Sequence, residues 1–492
     1  MTDRVKYRIL EIIPGALVWG TFLAAIIMSF LKPLWGIYFI IVFDVYWLVR
    51  ICYMLIYLMN SWFKYRKSIK INWLEKVKKI AGWEKVYHLI ILPTYREPEE
   101  ILRQTIKSLS SVNYPLNKLI VVLAGEELTK QHFLPIAESL KRDFGNHFFK
   151  FLITIHPKDI AGELAGKGAN ATWAGKQAQK IIDELAIPYE DILVSNFDSD
   201  TCPHREYFSY LTYTFLNHPR RTRASYQPVA VYNNNIWASP AIIRIVNNST
   251  TFWLFTDLSR PERLFTFSSH SMSFKALVEI GYWQTDIVTE DSRICLQGMV
   301  RYNGDYEVVP LHISVSMDTP YTGKFWESLI NQYKQIRRWA YGVENFPYIV
   351  WHMWGNKKIK TSQKMRYLWN QLEGTYSWAT APILIFFMGY LPLLLAGKTE
   401  KASVLTQNAP LILQYLMTFS MVGLGFSAIL SLVMLPPLPS GQKGHKYYLM
   451  FLQWLIFPYC MILFGSIPAI DAQTRLMLGK YLGFYATKKG RQ

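Results

Sequence analysis

Long apolar runs stand at both ends of the chain, and they constrain its fold more than any other feature. There are five, at residues 9–31, 35–59, 376–396, 411–435 and 447–470. Each is near the roughly 20 residues that an α-helix needs to cross a bilayer. The chain of 492 residues is also long enough for a soluble domain. We therefore expect two transmembrane helices within 1–60 and further transmembrane helices within 376–470.

Basic residues flank the first pair of apolar runs and fill the tail, residues 471–492. They are Arg4, Lys6, Arg8, Lys64, Arg66, Lys67, Lys70, Arg475, Lys480, Lys488, Lys489 and Arg491. The positive-inside rule places these residues in the cytoplasm, together with the segment that follows the second run. Three single crossings after that segment would leave the tail outside, so either one run does not cross singly or the rule fails here. We give the charge of the tail more weight than the count of crossings, and therefore expect the tail to be cytoplasmic. We expect a multi-pass protein of the cell or inner membrane.

The formal net charge of +18 indicates anionic partners. Its basic residues are dispersed through a chain that also carries membrane spans, which favours membrane lipid headgroups and an anionic substrate. A nucleic-acid partner would require a clustered basic face on a recognisable module, and the sequence has neither. The four cysteines lack CxxC spacing, so we expect neither a disulfide framework nor a zinc site.

The sequence between residues 80 and 345 predicts an α/β domain. Short apolar runs at 89–92, 119–123 and 192–194 end in polar loops and alternate with helical stretches. This pattern is typical of a layered domain with mostly parallel strands, whose ligands bind beyond the carboxyl ends of the strands. Residues 346–375 mix aromatic and basic side chains, which favours amphipathic helices in the membrane interface.

Two acidic motifs supply the candidate chemistry. Asp198 and Asp200 follow the third apolar run, where their carboxylates could hold Mg²⁺ or Mn²⁺ together with phosphate oxygens, although acidic turns after strands are common. Thr289, Glu290 and Asp291 precede a helical pattern, where a carboxylate could act as general base. Taken alone, the second motif reads better as a helix N-cap with an acidic first turn.

Gln335, Arg338 and Trp339 occupy one helical turn and can face one cleft. Arginine offers fixed donors to a diphosphate, and tryptophan offers a flat platform for a sugar ring. As isolated residues in an interfacial helix they would more often be membrane anchors.

These motifs, in this order, resemble those of the processive, membrane-embedded family 2 glycosyltransferases, which include cellulose and hyaluronan synthases. The resemblance implies a nucleotide-sugar-binding GT-A domain between transmembrane helices. It assigns Asp200 to the metal, Asp198 to the nucleotide and metal, and Asp291 of the Thr-Glu-Asp motif to the base. Gln335, Arg338 and Trp339 would then bind the acceptor and the diphosphate.

The resemblance also assigns donor-binding residues outside these motifs. Thr94, Tyr95 and Glu97 match the first nucleotide-binding loop, and Lys167 matches a basic loop near the nucleotide. In the tail, residues 484–489 resemble the gating loop of cellulose synthases, in which Thr487 and Lys489 would touch the diphosphate. A basic tail held by anionic lipid is an equally good interpretation of that segment.

Two loops depart from the family pattern. Residues 124–127 read Ala-Gly-Glu-Glu, without the aspartate that usually pairs with the uracil ring, and residues 268–271 read Ser-Ser-His-Ser where an acceptor loop is usual. Both departures bear on which base and which acceptor the protein binds.

The resemblance thus implies an inverting glycosyltransferase of the hexosyltransferase type. It would move a sugar from a nucleotide-sugar, UDP-linked by expectation, onto a growing polysaccharide in β-linkage, coupled to membrane passage. A single transfer to a lipid acceptor is the alternative within this class, so the acceptor is a glycan or a glycolipid. A transporter or non-catalytic scaffold is the alternative of another class, disfavoured because the acidic motifs are intact and buried polar residues are few beyond Asp44 and Arg50.

Overall fold

The computed structural model describes residues 1–399, 404–439 and 444–490, so Arg491 of the basic tail lies outside the described residues. The chain begins with a helical hairpin, α1 (Asp3–Leu31) and α2 (Pro33–Ser68). Helix α2 continues nine residues beyond the predicted span because Trp62 packs edge-on against Phe255 of the following domain, with the ring centroids 5.8 Å apart.

A single mixed sheet forms the centre of the α/β domain. Its strands are β1 (Tyr87–Pro93), β2 (Leu119–Glu126), β3 (Lys150–His156), β4 (Ile192–Asn196), β5 (Cys202–Pro203), β6 (Ala224–Val231), β7 (Ser271–Ser273) and β8 (Glu307–Ser316). They are ordered β3-β2-β1-β4-β7-β6-β8-β5, with β7 antiparallel to both of its neighbours and β5 antiparallel to β8. The predicted parallel pairing of the first strands is confirmed, and the carboxyl ends of β1, β2 and β4 lie side by side.

Strands β2 and β4 are buried along their whole length. Their continuous runs of Ile, Leu and Val are the pattern of strands that are covered on both faces. The helices of this part of the chain are α3 (Trp73–Val77), α4 (Glu99–Leu109), α5 (Lys130–Phe144), α6 (Lys167–Glu184), α7 (Tyr207–Asn217), α8 (Ala241–Leu258), α9 (Phe274–Ile280), α10 (Glu290–Arg301), α11 (Phe325–Ala340) and α12 (Asn345–Tyr348).

The C-terminal region is helical and begins earlier than the apolar runs indicate. Its helices are α13 (Thr361–Ile383), α14 (Leu391–Thr399), α15 (Val404–Val433), α16 (His445–Leu452), α17 (Phe457–Met461) and α18 (Ile467–Met477). The predicted interfacial stretch from residue 361 onward is the first part of α13, which belongs to a longer helical segment that extends to Leu395.

Among the described residues, five helices are long and apolar enough to cross a membrane. They are Asp3–Leu31, Pro33–Ser68, Thr361–Leu395, Gln407–Val433 and His445–Met477. In the first four, one end meets the α/β domain and the other lies near the hairpin turn at Lys32. At this far end Pro392 lies against Gly36, and Ala409 packs with Ile37.

The last of the five, His445–Met477, contacts the α/β domain near both of its ends. At its start the ring of Tyr447 lies edge-on to Trp237, 5.4 Å between centroids. Near its end Asp471 accepts hydrogen bonds from Arg337 (2.9 Å) and Tyr333 (3.2 Å) of α11. The tail that follows it therefore returns to the α/β domain.

Candidate active site

The carboxyl edge of the sheet gathers the acidic residues. Asp198 follows β4, where one carboxylate oxygen lies 2.6 Å from the Lys167 ammonium group and the other accepts a 2.7 Å hydrogen bond from Ser268. Burial opposes ionisation of Asp198, but Lys167 and Lys489 outweigh it and hold the pKa of this carboxyl well below its usual range. Asp198 is therefore an anion at neutral pH.

Lys167 joins the two acidic motifs. It opens α6, has a side chain that is only 10% exposed, and places its ammonium nitrogen 2.6 Å from Asp198 and 2.8 Å from Asp291. Burial disfavours the charged amine, yet these two carboxylates raise the pKa of Lys167 above its ordinary value. A permanent positive charge thus lies between the predicted nucleotide residue and the predicted base.

Asp200 is fully buried behind the tail. One of its carboxylate oxygens accepts a 2.6 Å hydrogen bond from the Asp318 backbone N–H, and the other lies 2.6 Å from the ammonium group of Lys489. Burial disfavours the charged amine of Lys489, but Asp200 and Asp198 raise its pKa. A lysine from the chain's far end therefore neutralises the residue that was predicted to hold a metal ion.

The donor chemistry at this edge fits a hard divalent cation. Such an ion is commonly held by one or two carboxylates together with substrate phosphate oxygens, and Asp198 and Asp200 supply the carboxylates. No group of three or more His, Cys, Asp or Glu side chains in metal-binding arrangement occurs within the described residues. Binding of a metal by Asp200 would require Lys489 to move, because its ammonium group occupies one carboxylate oxygen.

Asp291 lies in the first turn of α10, which begins at Glu290. Its carboxylate accepts hydrogen bonds from Lys167 and, at 3.3 Å, from the side-chain amide of Asn196. The ring of His270 lies 3.7 Å away. Thr289 is at the N-cap position and Glu290 and Asp291 are in the first turn, as the N-cap interpretation predicts, but the Thr289 hydroxyl donates to Glu344 rather than to the helix backbone.

Glu290 is buried beside Gly168, next to the site. It is 1% exposed and does not line the central cavity, and one of its carboxylate oxygens is buried without a hydrogen-bond partner. Burial, with a smaller contribution from Asp291, raises the pKa of Glu290 to about 8. Glu290 is thus mainly protonated at neutral pH.

The first predicted nucleotide loop follows β1. The Thr94 hydroxyl donates to the Ala124 carbonyl at 2.9 Å, and the Tyr95 backbone N–H donates to the Glu97 carboxylate at 2.7 Å. The nearby Glu126, at the end of β2, bonds the ring of His156 at 2.9 Å. Glu126 lines the same cavity as these loop residues, at the strand end where the family pattern has its aspartate.

The Gln335, Arg338 and Trp339 side chains of α11 all line this cavity. Arg338 stacks over the ring of Phe484 in the tail, 5.2 Å from the centroid, and its buried Nε finds no hydrogen-bond partner in the part of the chain that the structure describes. Trp339 packs against Tyr232 and Phe267. The helical turn thus brings these three residues together as the sequence predicts.

The tail is held against the domain by Asn331, a residue that the sequence motifs do not include. Its amide donates to the Lys488 carbonyl at 2.6 Å, and its oxygen accepts from the Tyr485 hydroxyl at 3.2 Å. Thr487 lines the cavity, and its buried hydroxyl has no hydrogen-bond partner within residues 1–399, 404–439 and 444–490.

One cavity of about 1420 Å³ connects these residues to the apolar helices. Of the residues predicted for the site, all but Asp200 and Glu290 line it; these are Thr94, Tyr95, Glu97, Lys167, Asp198, Asp291, Gln335, Arg338, Trp339, Thr487 and Lys489. The cavity continues between α2, α13 and α15, where Trp47, Phe386 and Met421 form part of its wall.

Sequence reasoning missed several residues that shape the site. Asn196, His270 and Asn331 reach it through strand pairing and tail docking. None of them belongs to a motif with a recognisable spacing. The one available signal was the polar loop 268–271, which departs from the family pattern and supplies both Ser268 and His270.

The chain has an α/β sheet with clustered carboxylates at its carboxyl edge, and its class is that of the glycosyltransferases. The family described as glycosyl transferase family group 2 matches residues 193–467. This segment is more than half of the chain, and the chain belongs to that family.

Other comparisons give distant likenesses. The mannosyltransferase PcManGT from Pyrobaculum calidifontis, in complex with GDP-Man and Mn²⁺, is 13% identical; the match covers 82% of this chain and 98% of that one, with a TM-score of 0.43. TarS residues 1–349 from S. aureus, in complex with UDP-GlcNAc, is 16% identical over 70% of this chain and 90% of that one, with a TM-score of 0.39. No curated protein sequence matches the chain.

Proposed function

We propose that the chain is an inverting, membrane-embedded glycosyltransferase that takes a sugar from a nucleotide-sugar donor, with UDP as the expected nucleotide. The observation that carries this proposal is the bridge that Lys167 makes between Asp198 and Asp291. It holds the carboxylate assigned to the donor and the carboxylate assigned to the base on either side of one ammonium group. A sugar bound beside Asp198 would then have its anomeric carbon within reach of an acceptor hydroxyl at Asp291.

Asp291 acts as the general base in this scheme. As the acceptor oxygen attacks the anomeric carbon, its proton passes to the Asp291 carboxylate, and the bond from that carbon to the diphosphate oxygen breaks. The electron pair of the broken bond leaves with the nucleoside diphosphate. Because attack and departure occur on opposite faces of the sugar, an α-linked donor gives a β-linked product.

The departing diphosphate needs counter-charge. Lys167 and Lys489 supply ammonium groups, and the buried Arg338 Nε and Thr487 hydroxyl have no hydrogen-bond partner among the described residues. Unpaired donors in a cavity are costly unless a ligand completes them, which favours an anionic group at this position. A divalent cation, held by Asp198 and Asp200, would supply further neutralisation of the leaving group.

The cavity indicates where the acceptor lies. Its continuation from Asp291 towards Trp47, Phe386 and Met421 supports an acceptor whose remainder extends between the apolar helices. A growing polysaccharide is the first candidate, because aromatic side chains offer stacking platforms for sugar rings. A lipid acceptor is the second candidate, favoured by the aliphatic wall that Met54, Leu55 and Leu424 contribute.

The test measures nucleoside diphosphate release by detergent-purified protein against UDP-, GDP- and dTDP-sugars, with Mg²⁺ or Mn²⁺ and with chelator. We expect release from one donor class, and we expect Asp291→Asn to lower turnover by about 10²–10⁴-fold because it removes the base. Asp305→Asn is the matched control, since Asp305 is 42% exposed and pairs with Arg220 and Arg223 at the surface.

Undiminished turnover by Asp291→Asn would contradict the assignment of the base. Absence of turnover of every donor, with membrane lipid added, would favour the scaffold interpretation. The product separates the two acceptors: material that enters the organic phase as a single glycolipid indicates one transfer to lipid, and water-soluble polymer indicates polymerisation.

A further inference from the structure

A second pocket, of about 270 Å³, opens beside the central cavity and is rich in arginine. It lies between α2, the turn after α8 and α13. Its side chains include Arg50, Arg260, Arg263, Arg366, Trp369 and Glu373. The mechanism above uses none of them.

The lengths of α2 and of the helical segment Thr361–Leu395 place this pocket at the level of lipid headgroups when both cross a membrane. Helix α2 has 36 residues, and its length of about 54 Å exceeds the roughly 30 Å of a hydrocarbon core. Counting about 20 residues from Pro33, at the far hairpin turn, reaches the neighbourhood of Arg50 and Tyr53. Counting back about 20 residues from Leu395 reaches the residues just after Glu373. Aromatic side chains such as Trp369 are enriched at this level.

The charges in the pocket are incompletely paired. Arg260 lies 3.1 Å from Glu262, Arg263 lies 3.1 Å from Asp257, and Arg50 pairs with Glu373. Within the described parts of the chain, Arg366 makes no ion pair; its one hydrogen bond there is a 3.4 Å contact to the Glu262 carbonyl.

Two further donors are left over. The Nε atoms of Arg50 and Arg263 are buried and donate to no described acceptor. Guanidinium groups are well matched to phosphate oxygens, which accept several N–H donors at once. A phosphate would both complete these donors and balance the charge of Arg366.

We propose that this pocket binds the phosphate of an anionic lipid. A lipid whose headgroup carries a cation, such as phosphatidylcholine, would bind less well because the arginines repel that cation. Arg50, Arg263, Asn370 and Glu373 line both this pocket and the central cavity. The phosphate can therefore belong to a bilayer lipid or, on the proposed function, to a lipid-linked acceptor on its way to the cavity.

The test is lipid retention measured by native mass spectrometry on the intact, detergent-purified chain. The protein is offered phosphatidylglycerol, phosphatidylcholine or a polyprenyl phosphate at equal concentration. We expect at least fivefold higher occupancy by one of the anionic lipids than by phosphatidylcholine. The double variant Arg260→Gln with Arg366→Gln should lose this preference, whereas Lys357→Gln with Lys358→Gln, which removes the same charge at exposed positions, should keep it.

Preference for phosphatidylglycerol identifies a bilayer lipid, and preference for the polyprenyl phosphate identifies the acceptor route. Equal retention of all three lipids, or an unchanged preference in the pocket variant, would overturn the proposal. Should the double variant fail to elute as a monodisperse peak, Arg366→Gln alone gives the same comparison, because Arg366 loses no ion pair. The readout requires no turnover, so its failure is distinct from failure of the glycosyltransferase assignment.

Discussion

Charge compensation at single residues explains how the site can exist before a substrate arrives. Three buried or partly buried carboxylates, Asp198, Asp200 and Asp291, share two ammonium groups from Lys167 and Lys489. Unpaired charges in such a place would be prohibitive, and each contact here is short. A diphosphate that enters carries negative charge of its own, so we expect both lysines to transfer from the carboxylates to the phosphates. Lys167 would thereby release Asp291 to accept a proton.

The prediction at the scale of single residues concerns the pH dependence of stability that Glu290 causes. Its folded-state pKa of about 8 lies above the ordinary carboxyl value of 4.5, so between these values the folded state binds more protons than the unfolded state. Stability must then fall as pH rises through this window. Glu290→Gln removes the titration and retains the shape of the neutral acid. Thermal melts of the purified protein between pH 5.5 and 8.5 should show a midpoint that falls more steeply for wild type than for Glu290→Gln.

Asp305→Asn serves as the control in these melts, since Asp305 is at the surface and its pKa is lowered by its hydrogen bonds to Arg220 and Arg223. Its melting midpoint should change with pH at the same rate as that of wild type throughout the pH 5.5–8.5 window. Parallel slopes for wild type and Glu290→Gln would show that Glu290 is ionised in the folded protein.

At the scale of elements, the tail is an arm that closes the site from outside the α/β domain. Phe484 packs against Gly166, where an added Cβ would lie 2.8 Å from the ring, and it also supports Arg338. Lys489 then reaches Asp200. On the proposed function, the arm contributes to the donor site only while its backbone stays docked. Asn331 supplies three of its hydrogen bonds to the domain, and the Asn235 amide donates another to the Gly490 carbonyl.

Asn331→Ala should therefore weaken donor binding without removing any group that touches the donor. It deletes three hydrogen bonds to the tail, two with the backbone of Lys488 and one with the Tyr485 hydroxyl. Three bonds of about 1 kcal/mol each correspond to roughly a hundredfold rise in donor KM. Limited trypsin digestion should also release the tail faster. Asn217→Ala, at the exposed end of α7, is the control. An unchanged KM together with unchanged digestion would show that the tail is docked by other contacts.

The sequence predicts the elements well where a local pattern decides them. The runs that became β1, β2 and β4 are continuous aliphatic segments followed by polar loops, and such segments form buried strands with little ambiguity. The start of α13 was missed because hydropathy marks the apolar part of a helix and not its polar extension. The docking role of Asn331 could not be predicted, since its partners lie more than 150 residues away.

At the scale of the whole molecule, the fold brings the side predicted for the basic tail into agreement with the number of helices that cross the membrane. The basic tail predicts a cytoplasmic C-terminus, whereas three single crossings after the α/β domain would place it outside. Because His445–Met477 contacts the domain through Tyr447 and Asp471, near its two ends, we expect it to lie along the interface rather than to cross. Four crossing helices then return the tail to the side of the active site.

Cysteine accessibility tests this topology. In a chain whose four native cysteines are replaced by serine, single cysteines at Asp3, Lys32, Asp305 and Lys480 are labelled with a membrane-impermeant maleimide in intact and in permeabilised cells. Four crossings put Asp3, Asp305 and Lys480 on one side, so they should react after permeabilisation, and Lys32, at the hairpin turn, should react in intact cells. Were position 480 to react together with position 32, five helices would cross, and the tail could not supply Lys489 to Asp200.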